Sequence, residues 1–343
     1  MLLFIYAMLL RFFYGRKEKY RAEMIKVWED SVLDYLMRGE TPYVFGLNET
    51  ERDLLFNIKQ KDFQIFGEFI ENYLVDLRGE EYSKIVQFLY NLNYDKILIN
   101  ALKKSDKWGK AYAARFLGLI KCKEAEEELL KLIDHKSPIV YLNTYEALNR
   151  IGSREDLPGM IESALANRNI SNTKIVEIIL GFGSEIDQIL TSFLKKQEIT
   201  SYNKALIIDI LNYRNVVESA NITLRLARKT DDQDLKIKCI KALGTFEDPS
   251  AVYFLMECLK DENWIIRSQA ANSLGKIGLE NTIPELKNLI YTDDNYWVIW
   301  YSAIALGAFG DVGEDVLKEL LDDPPNEISM KIIQYILAAE EGI

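Results

Sequence analysis

Seven leucines mark time along this chain. Leu117, Leu148, Leu180, Leu211, Leu243, Leu274 and Leu306 are spaced 31, 32, 31, 32, 31 and 32 residues apart. Each is followed by glycine or asparagine: Gly118, Asn149, Gly181, Asn212, Gly244, Gly275 and Gly307. A fixed period of this length marks a stacked repeat, in which each unit is one supersecondary element that cannot bury its apolar face alone. The beat therefore constrains the fold before any other feature does.

Glycine and asparagine take the left-handed backbone conformation most readily, so the beat predicts helix ends, with leucine as the last core contact. Four residues before each leucine stand Ala113, Thr144, Val176, Ile207, Cys239, Ala270 and Ser302. All are small or β-branched, and four residues is one helical turn on the same face. A short turn follows, with a second glycine at Gly152, Gly278 and Gly310. A second helix then carries apolar pairs such as Leu129/Ile133, Leu255/Leu259, Leu286/Ile290 and Leu317/Leu321. Polar turns such as Asp261-Glu262-Asn263 and Asp293-Asp294-Asn295 close the units and supply caps for the next helix.

The fullest unit runs from Asp261 to Asp294, with Asp261 before the first helix, Arg267 in its first turn, Leu274-Gly275 at its end and Pro284 early in the second. This pattern resembles HEAT repeats, specifically the short HEAT-like type also found in phycobilisome lyases. The arginine place is less well kept elsewhere, holding Lys110, Tyr141, Thr173, Lys204, Lys236 and Ile299. The resemblance covers roughly residues 108–327, with a divergent unit at 80–107. It implies an all-α fold: an α-solenoid, a HEAT/armadillo-type right-handed superhelix of antiparallel helix pairs, with an N-terminal hydrophobic helix. It says little about function, because one fold hosts many. The expected organisation is a hydrophobic membrane-associating segment at 1–14, a helical N-terminal cap region at 15–79, and the solenoid at 80–343, closed by a C-terminal capping helix after Pro324-Pro325.

Residues 1–14 are apolar except for Arg11. Fourteen helical residues rise only about 21 Å, short of the ~30 Å that a full span of about 20 residues covers. A basic run follows, and residues 1–21 carry a net +4 within a chain of net −11. Three readings compete. One is a membrane anchor, short, tilted or inserted into one leaflet, with the basic run held on the cytoplasmic side. A second is a signal peptide, which lacks a leading positive residue and a small-residue cleavage site. The third is a helix packed across the end of the solenoid. The anchor reading leads, with Leu2, Leu3, Phe4, Ile5, Leu9, Leu10, Phe12, Phe13, Arg16 and Lys17 as membrane contacts, and it places the chain on the cytoplasmic side of the cell membrane.

The residue inventory argues against an enzyme. One histidine is present, His135, in a turn between units with no recognisable nucleophile motif nearby. Some HEAT-like proteins, such as deoxyhypusine hydroxylase, use repeated His-Glu pairs to hold di-iron; no His-Glu pair exists here, so the resemblance to that enzyme stops at the fold. Gly181-Phe182-Gly183 lacks the GxGxxG pattern, and no EF-hand spacing appears. The expectation is no catalytic residue, no cofactor and no metal. Cys122, Cys239 and Cys258 form no CxxC pair and read as reduced thiols. The net charge disfavours nucleic acid as a partner.

Aromatic side chains gather near the C-terminal end: Trp264, Tyr291, Tyr296, Trp297, Trp300 and Tyr301. Such residues anchor partners because they combine large apolar area with a polar handle, though inter-repeat packing is the more ordinary use of rings at these positions. Trp264, Tyr296, Trp297, Trp300 and Tyr301 are the candidate protein-binding residues. The function these features point to is a non-catalytic protein-binding scaffold or adaptor, tethered to the membrane face, whose partner is basic or membrane-embedded. The alternative is a HEAT-like lyase or chaperone-type subunit acting on a protein-bound chromophore.

Overall fold

The computed structural model describes residues 63–340 and, ahead of them, helical residues 16, 18–26, 28, 29 and 32. Residues 1–14, on which the membrane-contact expectation falls, lie outside the described residues, as does Lys17. Arg16 is described, and is helical and exposed. Every described element is helical, α or 3-10. No helix among the described residues is long and apolar enough to cross a membrane.

Two units make up the chain, 1–164 and 165–343. The first contains α1 (Phe63–Asp76), α2 (Gly79–Asn91), α3 (Tyr94–Lys104), α4 (Lys107–Leu119), α5 (Glu126–Leu130), α6 (Pro138–Ile151) and most of α7 (Leu157–Ala166). Its core starts with a chain of aromatic rings. Trp28 meets Phe66 edge-on at 5.2 Å, Phe66 meets Tyr94 at 5.3 Å, and Tyr94 meets Phe116 at 5.2 Å. Such edge contacts are a favoured geometry for aromatic pairs and bury large apolar area. From α4 onward the repeat takes over, and α4 packs directly on α6.

The second unit holds α8 (Asn172–Leu180), α9 (Ile186–Phe193), α10 (Ser201–Tyr213), α11 (Ala220–Lys229), α12 (Gln233–Thr245), α13 (Val252–Cys258), α14 (Trp264–Ile277), α15 (Ile283–Thr292), α16 (Tyr296–Gly307), α17 (Asp311–Asp322) and α18 (Glu327–Glu340). The even-numbered helices α8 to α16 are the first helices of successive repeats, each packed on the next. After α16 the order changes, and α18, the last described helix, packs on both α16 and α17.

The leucine beat is buried as expected: Leu117, Leu148, Leu211, Leu243, Leu274 and Leu306 are fully inaccessible. One beat is displaced. Leu180 is half-buried, and Ile179, with Ile175 four residues earlier, takes the core position in α8.

The glycine or asparagine after the leucine is not the helix stop. The left-handed residue lies four places beyond the leucine: Lys121, Gly152, Asn215, Glu247, Gly278 and Gly310, with Gly183 four beyond Ile179. The leucine carbonyl accepts a hydrogen bond from the residue five places on, Cys122 to Leu117, Ser153 to Leu148 and Val216 to Leu211, each at 3.0 Å. The next carbonyl accepts from the left-handed residue itself, as Lys121 donates to Gly118 at 3.1 Å. This is the Schellman end, which satisfies the orphan carbonyls of the last turn. The glycine of the beat does something else. A Cβ on Gly118 would stand 2.6 Å from Ala147 Cα, and one on Gly275 would stand 2.6 Å from Ala305 Cα. Glycine there lets consecutive first helices approach backbone to backbone.

The polar turns cap as their residues predict. Asp232 accepts from Leu235 N–H at 3.0 Å, Asn263 from Ile265 N–H at 2.9 Å and Asn295 from Trp297 N–H at 3.0 Å. Arg267 ties two turns together. Its guanidinium grips the nearly buried Asp293 at 2.6 and 3.0 Å and donates to the carbonyls of Asp261 and Glu262. Lys236 repeats the first half of this arrangement one unit earlier, 2.7 Å from Asp261.

Candidate functional site

Helix α16 is apolar on every side. Its inner residues Val298, Ile299, Ser302, Ala303, Ala305 and Leu306 are buried. Its outer stripe should then be polar, as on an ordinary surface helix. Instead it reads Trp297, Tyr301 and Ile304, spaced four and three residues apart, with Ala308 at the C-cap. Trp297 is 48% exposed, and Tyr296 and Ile304 are also exposed. Trp300 and Tyr301 are half-buried.

The rings form one connected surface. Tyr296 stacks on Trp300 at 5.9 Å with planes 21° apart and meets Trp297 edge-on at 5.3 Å. Trp297 reaches Tyr301 at 6.3 Å, and Trp300 reaches Tyr335 of α18 at 5.4 Å. Four of the five candidate residues are thus brought together. Trp264 stands apart at the start of α14, exposed, and makes none of these ring contacts. Tyr291 is also exposed, and its hydroxyl donates to the Asp323 carbonyl at 3.5 Å. Trp300 serves both uses weighed for these residues, since it packs against the terminal helix while supporting the exposed rings.

Tyr335 is the member that sequence reasoning missed. It is 62% exposed. The legible signal was its place on α18, off the buried stripe of Ile332, Ile333 and Ile336.

The same register, nine residues before the core leucine, carries exposed rings in other repeats. Trp108 in α4 and Tyr202 in α10 occupy it, and each has a cation of its own chain over it. Lys107 Nζ lies 5.5 Å from the Trp108 ring centre, and the Arg168 guanidinium lies 4.5 Å from that of Tyr202. Such stacking is favourable because the ring face is electronegative. Among the described residues no cation sits over Tyr296, Trp297 or Tyr335.

The charge around the patch is one-sided. Residues 293–343 hold eleven carboxylates against two lysines, a net −9. Both lysines are engaged along their own helices, Lys318 with Glu314 and Lys331 with Glu327, each at 2.6 Å. Asp294, Asp311, Asp315, Asp322 and Asp323 are exposed and join no ion pair among the described residues.

Other places are less suited to ligands. A cleft of about 400 Å³ in the first unit is lined by Arg78, Lys121 and Arg150 with Leu74, Leu77 and Leu119. Its two guanidiniums are already used, Arg78 on the carbonyls of Val75 and Leu77 and Arg150 on Glu146. His135 is half-buried, and its Nδ1 accepts the Ser137 N–H at 3.0 Å, which makes it part of a turn. No group of histidine, cysteine and carboxylate side chains able to hold a metal occurs among the described residues. The three thiols are buried, and burial pushes Cys239 up to about 12 and Cys258 up to about 11.

Stacked antiparallel helix pairs with a recurring leucine, a close-contact glycine and a left-handed helix end define a helical-repeat protein. Residues 96–172 and 221–306 match the family model for HEAT repeats, and the chain carries HEAT repeats over those stretches. No curated protein matches it by sequence. Among solved structures, a mutant of Kap121p superposes with a TM-score of 0.53 at 10% identity, covering 90% of this chain and 41% of that one. Kap95p also gives 0.53, at 11% identity, covering 94% of this chain and 51% of that one. The chain thus spans about half the length of these neighbours or less. Human deoxyhypusine hydroxylase is 18% identical over 83% of this chain and 99% of that one, but its TM-score of 0.32 bears no argument. At these identities the likeness is one of fold alone.

Proposed function

We propose that the chain is a non-catalytic protein-binding scaffold that docks a partner on the outer stripe of α16, with residues 1–14 tethering it to the cytoplasmic face of a membrane. The observation that carries the docking reading is the exposed apolar stripe itself. A helix apolar all round belongs in a core, and one left with an aromatic face in water has a partner to cover it. Tryptophan and tyrosine are the residues that dominate binding energy in such places. Kap95p, which shares the fold, binds RanGDP, and that supports a HEAT-repeat surface as a place for protein docking.

The test of docking is a photo-crosslinking amino acid placed at position 304 in the full chain expressed in its native cells. A discrete adduct is expected, and it should vanish with Trp297→Ala. An adduct pattern identical to that from a crosslinker at exposed Lys276 would count against docking. Detergent-free fractionation tests the tether: membrane association lost on deleting residues 1–14 supports it, and a fully soluble intact chain refutes it.

A further inference from the structure

We infer that the segment docked on α16 is basic, an arginine- or lysine-rich stretch whose cations lie over the exposed rings of Tyr296, Trp297 and Tyr335 and pair with exposed carboxylates of the turn before α16 and of α17, the helix packed against it. This deepens the docking reading and rests on it. The chain's own repeats show what its surface does with a ring at this register: Lys107 covers Trp108 and Arg168 covers Tyr202. Trp297 holds the same register in α16 and no cation covers it among the described residues. The missing cation comes from the partner.

Charge points the same way. Asp294 stands two residues before Tyr296, and α17, packed against α16, carries exposed Asp311, Asp315 and Asp322 with no cation of their own. A partner carboxylate or phosphate would meet this field at a cost, whereas a guanidinium gains from both ring and carboxylate. Arginine suits the site better than lysine, because its planar, weakly hydrated head stacks on rings while its N–H groups still reach carboxylates.

Fluorescence polarisation with the full-length protein tests the assignment. The probe is a labelled Arg-Gly-Ser repeat peptide, with a citrulline version of the same length as its uncharged counterpart. The arginine peptide is expected to bind, and the citrulline peptide to bind at least roughly tenfold more weakly. Trp297→Ala combined with Tyr335→Ala should weaken the arginine peptide by roughly tenfold or more without changing the net charge. Asp294→Asn with Asp322→Asn, at the end of α17 that Tyr291 ties to the start of α16, should weaken it further and flatten the dependence on salt. These side chains are exposed, so an unchanged melting profile verifies that the variants are folded. Binding of the arginine peptide that ignores the ring substitutions would reduce the effect to bulk charge and overturn the proposal. Equal binding of the citrulline peptide would do the same. Self-association in sedimentation, abolished by Trp297→Ala, would make a second copy the occupant and also overturn it. The crosslink at position 304 separates this inference from the docking reading. An adduct formed through an acidic or uncharged segment leaves docking standing and removes the basic partner, and no adduct removes both.

Discussion

Gly275→Ala sets two roles for the beat glycine against each other. If the residue were merely an ordinary helical position, alanine would stabilise the helix by about 1 kcal/mol through its higher propensity. The packing predicts the opposite sign. A Cβ at Gly275 would lie 2.6 Å from Ala305 Cα and 2.7 Å from Ala305 Cβ. Carbon contacts are comfortable at about 3.5–4.0 Å, so α14 and α16 must part by about 1 Å. The obstacle is backbone and a methyl group, neither of which can rotate away. Overpacking of this kind costs about 1–3 kcal/mol, and after the propensity gain a net loss of up to about 2 kcal/mol remains. Because a repeat array opens locally, the loss should concentrate at one inter-repeat contact. Hydrogen exchange followed by mass spectrometry should show α14 and α16 exchanging about tenfold faster while α10 is unchanged. Lys276→Ala, at an exposed place on the same helix, is the control. A Gly275→Ala protein more stable than its parent, with α16 exchange unaltered, would falsify the close-approach role.

The left-handed helix ends give a prediction of the other sign: Glu247→Gly and Lys121→Gly should each stabilise by about 1 kcal/mol, read as a raised denaturation midpoint, because non-glycine residues are strained at φ near +50°. No gain in either variant would refute strain at that position. Arg267→Met should destabilise by about 3–5 kcal/mol, since it strands the nearly buried Asp293 carboxylate, and Asp293→Asn in the same chain should recover much of the loss. A cost under about 1 kcal/mol in a urea double-mutant cycle would show the pair to be incidental. The thiols set an alkaline limit. Burial raises Cys239 to about 12, and burial first among several causes raises Cys122 and Cys258 to about 11, from an ordinary 9.0. A raised folded value means the contribution is complete below pH 9.0, declines as the unfolded thiol ionises, and is gone once pH passes about 11–12. Denaturation midpoints should fall over that window, more shallowly in Cys239→Ala, and a native protein whose thiols all react rapidly at neutral pH would contradict their burial.

Much of the fold was legible because a repeat writes its geometry into spacing. The leucine period set the helix pairs, the small residues one turn earlier predicted a narrow core stripe, and the aspartates and asparagines of the turns cap where expected. What spacing could not reveal was phase. Gly181 follows Leu180 as faithfully as Gly275 follows Leu274, yet in α8 the core turns by one residue to Ile179, and the left-handed Gly183 keeps step with Ile179. Helix ends were misplaced for a related reason. Glycine is suited both to a left-handed turn and to a close helix contact, and only a neighbour at 2.6 Å tells the two apart.

The candidate site divides along the same line. The sequence by itself determined that Trp264, Tyr296, Trp297, Trp300 and Tyr301 gather in adjacent repeats, because a position within a repeat is a local property. Tertiary structure alone decided that the stripe faces water, that Trp300 packs against both it and α18, and that Tyr335, thirty-five residues after Trp300, completes it from another helix. Exposure belongs to no residue taken singly. It depends on which faces the neighbouring helices cover, and in a stacked array that is settled only when the units meet.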